Sequence, residues 1–103
     1  MYDTWAGRSK FNYSGSVEIG TDIVYGRGYI ARVKAQAYSD LRHHFLGRIV
    51  PVGTSFTDPP SGSLGAWLQD NVTRTAIACY VAPILILEGY AERVGKYDIR
   101  IIR

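Results

Sequence analysis

The stretch "VEIGTDIVYGRGYIARVKAQA", residues 17–37, decides the predicted fold, because apolar and polar residues alternate on both sides of a glycine pair. A two-residue period is typical of a strand with one buried face. Gly26 and Gly28 flank Arg27, and glycine adopts positive φ at little cost, so these three residues predict a hairpin turn. In the first half, the residues predicted to face the core are Val17, Ile19, Thr21, Ile23 and Tyr25.

The second half of this stretch alternates small inward residues with charged outward ones. Positions 29, 31, 33, 35 and 37 are predicted to face the core, and Arg32, Lys34 and Tyr38 the opposite side. The inward alanines leave room that aromatic side chains must fill from across the core, or that remains as a pocket. The predicted ligand pocket is lined by Ala31, Val33, Ala35 and Trp67.

The remaining elements follow from shorter signals. A third strand is predicted from His43 to Val52, with Gly47 as a bulge and Pro51 at a strand end or sheet edge. Ser63 is predicted to cap a short helix that runs to Asn71. A closing strand faces inward through Tyr97, Ile99 and Ile101, and an additional N-terminal strand spans Lys10–Tyr13.

Residues 74–90 are apolar on both parities, which indicates a strand that is covered on both faces. The alternative is a helix that starts at Pro83 and stops at Gly95. The run "ILIL" at residues 84–87 and the interior Gly89 favour the strand.

These elements predict a single α+β domain over residues 1–103, in which mostly antiparallel strands form a small, partly open β-barrel with one short helix. The element order is β-β-β-α-β-β. This is the order of the oligonucleotide/oligosaccharide-binding fold, an analogy of counted elements without a motif match.

The composition is that of an ordinary globular protein, with 47% hydrophobic and 20% charged residues among 103. Such a chain builds a core without metal or disulfide support, and Cys79 is its single cysteine. The N-terminal residues include charges where a signal peptide needs an apolar core, and the apolar run of residues 76–87 is too short to span a bilayer. We therefore expect a cytoplasmic protein without a membrane partner.

The adjacent His43 and His44 are the candidates for chemistry. On a strand they project to opposite faces and cannot serve one site. If residues 39–47 form a helical turn instead, Asp40 and His44 meet at four-residue spacing. A histidine that acts as acid or base beside Asp40 is the enzymatic alternative. Neither a metal nor a cofactor is expected, because zinc needs three or four ligands and Cys79 is predicted to be a buried, inert thiol.

Positive charge concentrates in residues 27–48 of a chain with a formal net charge of +3. Cations track phosphates and aromatic rings stack bases in complexes with single-stranded nucleic acid. The same charges also suit a solvated outer face. The candidates for nucleic-acid contacts are Arg27, Arg32, Lys34, Tyr38 and Arg48.

The sequence thus predicts a non-enzymatic binding or interaction module, expected to be a homo-oligomer, with an apolar, tyrosine-lined pocket or oligomer face for a small ligand or a protein partner. The first alternative is single-stranded nucleic-acid binding through the second and third strands. The second is a small enzyme that uses His43 or His44.

Overall fold

The predicted hairpin belongs to an antiparallel sheet built from residues 1–34. The computed structural model describes all 103 residues. Four strands lie in the order β1-β2-β3-β4, so each strand pairs with its neighbour in sequence. The strand predicted at Lys10–Tyr13 is confirmed as part of β2. The bounds are Tyr2–Asp3 for β1, Lys10–Ser16 for β2, Gly20–Tyr25 for β3 and Tyr29–Lys34 for β4.

The hairpin turn between β3 and β4 is confirmed. Tyr25 pairs with Tyr29 across it, and Gly26 and Gly28 have φ of 59° and 98°. Residues with a Cβ rarely adopt these values, which accounts for the two glycines around Arg27. Tyr29 is 63% exposed rather than inward as predicted, because it stands beside the turn at the end of the sheet.

The alternation predicted along β3 and β4 holds within the strands. Ala31 and Val33 are buried, whereas Arg32 and Lys34 are exposed. The two exceptions are Tyr29 at the start of β4 and Ile19, which lies in the turn before β3 and is 75% exposed. The sheet therefore has one face on the core and one face toward solvent, as an antiparallel sheet commonly does.

The strand predicted to continue to residue 38 ends with β4, and helix α1 spans Ala35–Phe45. Its buried residues are Tyr38, Leu41 and Phe45, and spacings of three and four residues are the period of a helix face on a core. The prediction of a strand beginning at His43 is wrong for the same reason. Tyr38 therefore points inward, contrary to its predicted outward position.

Of the predicted third strand, only Ile49–Pro51 is extended, as strand β5. Gly47 has a φ of 76° two residues after α1 ends, so this glycine lets the chain leave the helix rather than forming a bulge. β5 pairs on one side only, with β7 at Asp98–Ile101. The edge position predicted from Pro51 is confirmed.

The helix predicted from Ser63 is confirmed as α2, Leu64–Asn71. The Ser63 side chain accepts a hydrogen bond from the Ala66 N–H at 3.1 Å, which is the expected cap. Gly65 is present for a packing reason, since a Cβ there would lie 1.9 Å from the backbone oxygen of Gly53. This glycine lets α2 approach the backbone that follows β5.

The strand predicted over residues 74–90 is wrong, because Ala78–Leu87 forms helix α3. The alternative helix starting at Pro83 begins too late, since Pro83 lies inside α3. α3 has apolar residues on all sides, five of them buried, and its only exposed residue is the last one, Leu87. A helix of this kind shows no amphipathic period, so its sequence resembles a doubly covered strand.

Pro83 leaves a backbone oxygen inside α3 without its usual partner. Proline has no N–H, so the carbonyl of Cys79, four residues earlier, receives no intrahelical hydrogen bond from this position. The N–H of Trp5 donates to that carbonyl at 2.9 Å. The N-terminal segment thereby satisfies a group that the helix itself cannot.

After α3 the chain forms a second antiparallel sheet, in which β6 spans Ala91–Val94 and the strand order is β5-β7-β6. Ile99 and Ile101 of β7 are fully buried, as predicted. The inward position predicted for Tyr97 is wrong, since Tyr97 is 69% exposed and lies in the turn between β6 and β7.

The α+β class is confirmed, and the two sheets do not close into a barrel. There are three helices rather than one. A single cluster of 22 buried hydrophobic residues joins both sheets and all three helices. None of these helices combines the length and hydropathy needed to cross a bilayer.

Candidate functional site

One cleft collects residues that the sequence assigned to three different functions. It lies between the end of β4, the first turns of α1 and the C-terminal part of α2, and it has a volume of about 340 Å³. This is within the range of small-ligand sites. We call it the junction cleft. Its lining residues are Arg32, Lys34, Gln36, Ala37, Asp40, Trp67, Asn71 and Val72.

Two cations of β4 stand at one side of the junction cleft. The Nε of Arg32 lies 3.2 Å from a carboxylate oxygen of Asp22, and its two terminal nitrogens have no partner. The Arg32 side chain is 76% exposed, so this ion pair is weakened by solvent. The Lys34 ammonium makes neither an ion pair nor a hydrogen bond. The cations that the sequence placed outward therefore keep capacity for an anion.

The start of α1 adds to the positive potential beside these cations. Lys34 occupies the N-cap position, no side chain caps the helix, and its first turn has no acidic residue. The N-terminal end of a helix carries a partial positive charge. Nothing in this helical turn offsets that charge.

Trp67 of α2 supplies the aromatic wall. The indole is partly exposed, and its ring centroid lies 6.4 Å from those of both Phe45 and His44. These α1 rings hold the indole in place. Its Nε1–H has no hydrogen-bond partner, whereas the other tryptophan, Trp5, donates its Nε1–H to the Lys96 carbonyl at 3.1 Å.

The polar groups next to Trp67 are held by bonds within the cleft. Gln36 donates from Nε2 to Asp40 at 2.8 Å. Asn71 donates from Nδ2 to the Trp67 carbonyl at 2.9 Å. The carbonyl oxygens of both amides are left without a donor. Together with the Asp40 carboxylate, they make the cleft rich in acceptors.

The prediction of the pocket is only partly correct, because Trp67 lines the junction cleft but the other three predicted lining residues do not. Ala31 and Val33 belong to the packed core and are 8% and 1% exposed. Ala35 is half-buried at the start of α1. The fully buried Tyr38 belongs to the same core.

The predicted nucleic-acid residues do not form one surface. Tyr38 cannot stack on a base, because it is fully buried and its hydroxyl shares a 2.7 Å hydrogen bond with that of Thr21. Arg27 lies at the hairpin tip. Arg48 lies between α1 and β5, in the other part of the molecule, and its guanidinium sits over the Phe45 ring at 5.5 Å. Only the two β4 cations remain adjacent.

His43 and His44 are both exposed on α1. Asp40 bonds to Gln36 instead of pairing with His44. His43 borders a shallow hollow of about 190 Å³ whose lining includes no acidic side chain. No group of three or more histidine, cysteine or acidic side chains is arranged to hold a metal ion. The catalytic arrangement expected for a histidine beside Asp40 is therefore not formed.

A second route to nucleic acid would use α3. Helix-turn-helix proteins present the second of two successive helices to the DNA major groove, and α2 and α3 are successive helices here. However, α3 has no charged residue. Tyr80 on its surface packs on Phe11 and Tyr25 of the first sheet, with ring centroids 5.3 and 4.9 Å away. α3 therefore lacks the cations that would contact DNA phosphates, and the first sheet covers the part of its surface around Tyr80.

Tyrosines at the contact between the first sheet and the helices have raised pKa values. Burial, followed by the hydrogen bond to Glu88, raises the pKa of Tyr13. Burial also raises the pKa of Tyr38, and it raises that of Tyr80 to about 12. Burial raises the pKa of the Cys79 thiol, in agreement with the inert thiol predicted from sequence. None of these groups lines the junction cleft.

Sequence reasoning missed Gln36, Ala37, Asn71 and Val72 as lining residues. The helical period over residues 35–45 was the available signal, because it places Gln36, Ala37 and Asp40 on one face. The chain has no match among protein-family models, curated proteins or solved structures.

Proposed function

We propose that the protein is a non-enzymatic binding domain that holds a small anionic ligand in the junction cleft. The observation that carries this proposal is the meeting of Arg32, Lys34 and Trp67 over one concave surface. A few placed polar groups beside an apolar wall are the usual design of a small-ligand site. The free Lys34 ammonium supplies the charge, and the indole supplies a flat apolar face.

The positions of the titratable side chains support a binding role rather than a catalytic one. A general base needs to lie within hydrogen-bonding distance of the group it deprotonates, in a site that positions the substrate. His43 and His44 are exposed on α1, and the carboxylate in the cleft, Asp40, is bonded to Gln36. A binding role needs no acid, base or nucleophile.

An NMR titration of backbone amides tests the proposal with inorganic phosphate and adenosine monophosphate as probes. We expect phosphate to shift the signals of residues 32–37 and adenosine monophosphate to shift those signals and that of Trp67, each to saturation. The variant Lys34→Ala should weaken binding about fivefold, because it removes a charge-assisted contact at a solvent-exposed site. Lys96→Ala is the matched control, since Lys96 is exposed and lies in the turn between β6 and β7.

Two results would contradict the proposal. The first is that neither probe moves the signals of the cleft. The second is that Lys96→Ala weakens binding as much as Lys34→Ala does, because the probes would then be responding to net charge alone.

Single-stranded nucleic acid is the second candidate function. It is favoured by the position of Arg32 and Lys34 on β4, which is the free edge strand of the first sheet. With two phosphate contacts, the logarithm of the affinity should fall with the logarithm of salt concentration with a slope of about −1.4. A flat salt response in fluorescence polarisation would remove this candidate.

Self-association and a cytoplasmic location complete the proposal. Val24 and Ile30 pair across β3 and β4 and are 40% and 58% exposed, so the outer face of the first sheet offers an apolar contact for a second copy. The unpaired Cys79 agrees with a reducing compartment. Sedimentation velocity tests self-association, and Ile30→Lys should shift any dimer toward monomer.

A further inference from the structure

We infer that the junction cleft takes a nucleoside phosphate whose base carries an exocyclic amino group, an inference that rests on the cleft being the binding site proposed above. The cleft has room for one nucleotide but not for a duplex, since its volume is about 340 Å³. Three features along its wall select this ligand class: open cations, an apolar aromatic wall and an excess of acceptors.

The cations fit a phosphate group. Arg32 uses only its Nε toward Asp22, so both terminal nitrogens can donate to phosphate oxygens in the paired geometry that guanidinium favours. Lys34 lies two residues along the same face of β4, and its ammonium has no partner. A phosphate at this position would replace the solvent around both groups.

The opposite wall fits a planar base. Trp67 lines the cleft together with the apolar side chains of Ala37 and Val72. A lone inorganic anion would leave this wall unused, whereas an aromatic base stacks on an indole with about 1–3 kcal/mol of binding free energy per base. Contacts of the indole with Phe45 and His44 hold the wall in position before a ligand arrives.

The hydrogen-bond acceptors that line the cleft with the indole determine which bases are favoured. Gln36 and Asn71 each donate within the protein, and their carbonyl oxygens and the Asp40 carboxylate have free lone pairs. The amino groups of adenine, cytosine and guanine are donors, whereas uracil and thymine present a carbonyl at the corresponding edge. A carbonyl facing Asp40 would place two acceptors against each other, which is unfavourable.

The experiment uses a Trp5→Phe background, in which Trp67 is the only tryptophan. The NMR signal of its indole N–H is followed during titration with four probes: adenosine monophosphate, cytidine monophosphate, uridine monophosphate and ribose 5-phosphate. We expect the adenine and cytosine nucleotides to bind about tenfold more tightly than the uracil nucleotide, the size of one base-edge contact. Ribose 5-phosphate should bind more weakly still.

The substitution Asp40→Asn tests the acceptor directly. An amide offers a donor as well as an acceptor, so the difference between the adenine and uracil nucleotides should shrink to about twofold or less. Asp70→Asn is the matched control, because Asp70 is exposed on the same helix as Trp67 and does not line the cleft. It should leave the difference unchanged.

The outcomes separate this inference from the proposal on which it rests. If ribose 5-phosphate and inorganic phosphate bind as tightly as the nucleotides, the anion site stands and the inference is overturned. Equal binding of the adenine and uracil nucleotides also overturns it. An unmoved Trp67 signal overturns the inference, and if the signals of residues 32–37 also stay unmoved, the proposed site fails as well.

The nucleotide can come from two sources, a free nucleotide or one residue of a single strand. Titration with a single-stranded oligoadenylate distinguishes them. Affinity equal to that of the mononucleotide assigns the free form, whereas tighter binding with a steep salt dependence assigns the strand. In either case the base and phosphate contacts described here are supported.

Discussion

The two halves of the molecule, residues 1–34 and residues 35–103, each contain one sheet, and the strands of the two sheets pair in different ways. In residues 1–34 every strand pairs with the next one along the chain. In residues 35–103, β5 pairs with β7, so that Val50 lies opposite Ile99 with two helices between them in sequence. Local pairing follows from an alternating pattern and a turn, whereas distant pairing requires the whole half to be packed.

This difference matters for function because the junction cleft draws on both halves. Arg32 and Lys34 stand on the locally specified sheet. Trp67 stands on a helix whose position depends on contacts far apart in the sequence. A change that loosens either half should therefore be visible at the cleft.

The largest expected effect lies in the second half, at Gly65. Replacing glycine by alanine inside a helix usually stabilises it by about 1 kcal/mol. Here the new Cβ would meet the backbone oxygen of Gly53 at 1.9 Å, so we expect a loss of about 3 kcal/mol. Urea denaturation of Gly65→Ala measures it. The neighbouring Ala66→Gly is the control and should lose only about 1 kcal/mol; a stabilised Gly65→Ala would contradict the close approach.

A smaller effect is expected where the halves are joined by a buried hydrogen bond. The hydroxyls of Tyr38 on α1 and Thr21 on β3 are 2.7 Å apart. Tyr38→Phe leaves the Thr21 hydroxyl buried without this partner and should cost about 1–2 kcal/mol. In the double variant with Thr21→Val the two losses should not add. Simple additivity in a double-mutant cycle would show that this bond does not couple the halves.

Alkaline pH should weaken the packing of α3 on the first sheet, where Tyr80 contacts Phe11 and Tyr25. Burial raises the pKa of Tyr80 to about 12, so the folded state holds this phenol neutral at pH values where the unfolded chain ionises it. The contribution of Tyr80 to the free energy of unfolding is therefore complete below about pH 10 and is lost as the pH rises toward 12. Urea melts at several pH values measure the slope. Tyr80→Phe should flatten it, and an unchanged slope would exclude Tyr80 as a cause.

The smallest effect is expected at His43. Its side chain is exposed on α1, so His43→Ala should change stability by less than about 0.5 kcal/mol. Binding of adenosine monophosphate should also be unchanged, because His43 does not line the junction cleft. A large change in either measurement would mean that the exposed face of α1 has a role that the cleft does not explain.

The first half could be predicted from sequence because one physical signal dominates there. The alternation and the glycines around Arg27 identify the hairpin, and the same alternation places Arg32 and Lys34 outside. Half-buried antiparallel strands carry this signal in every residue. Its failure begins at Ala35, where the alternating pattern continues for a few residues into a helix.

The second half was harder to predict from sequence, because its helices are stabilised by contacts with residues that are distant in sequence. α3 is apolar on all sides, so periodicity cannot distinguish it from a covered strand. Pro83 also argues against a helix interior, and the N–H of Trp5 that compensates for it comes from the far end of the chain.

The cleft was only partly predictable for the same reason. Arg32, Lys34, Asp40 and Trp67 were each singled out, but for separate functions. They meet only because α1 follows β4 directly and carries Asp40 past α2. The change from strand to helix at Ala35, which the alternating pattern hides, is what brings them together.

The central claim is that one ligand contacts both halves of the molecule in the junction cleft. Intermolecular nuclear Overhauser effects with bound adenosine monophosphate test it most directly. The account predicts contacts from the adenine protons to the Trp67 ring and the Ala37 methyl group, together with phosphate-dependent shifts at Lys34. If the ligand, at a concentration that saturates the protein, contacts another surface and not Trp67, the claim is contradicted.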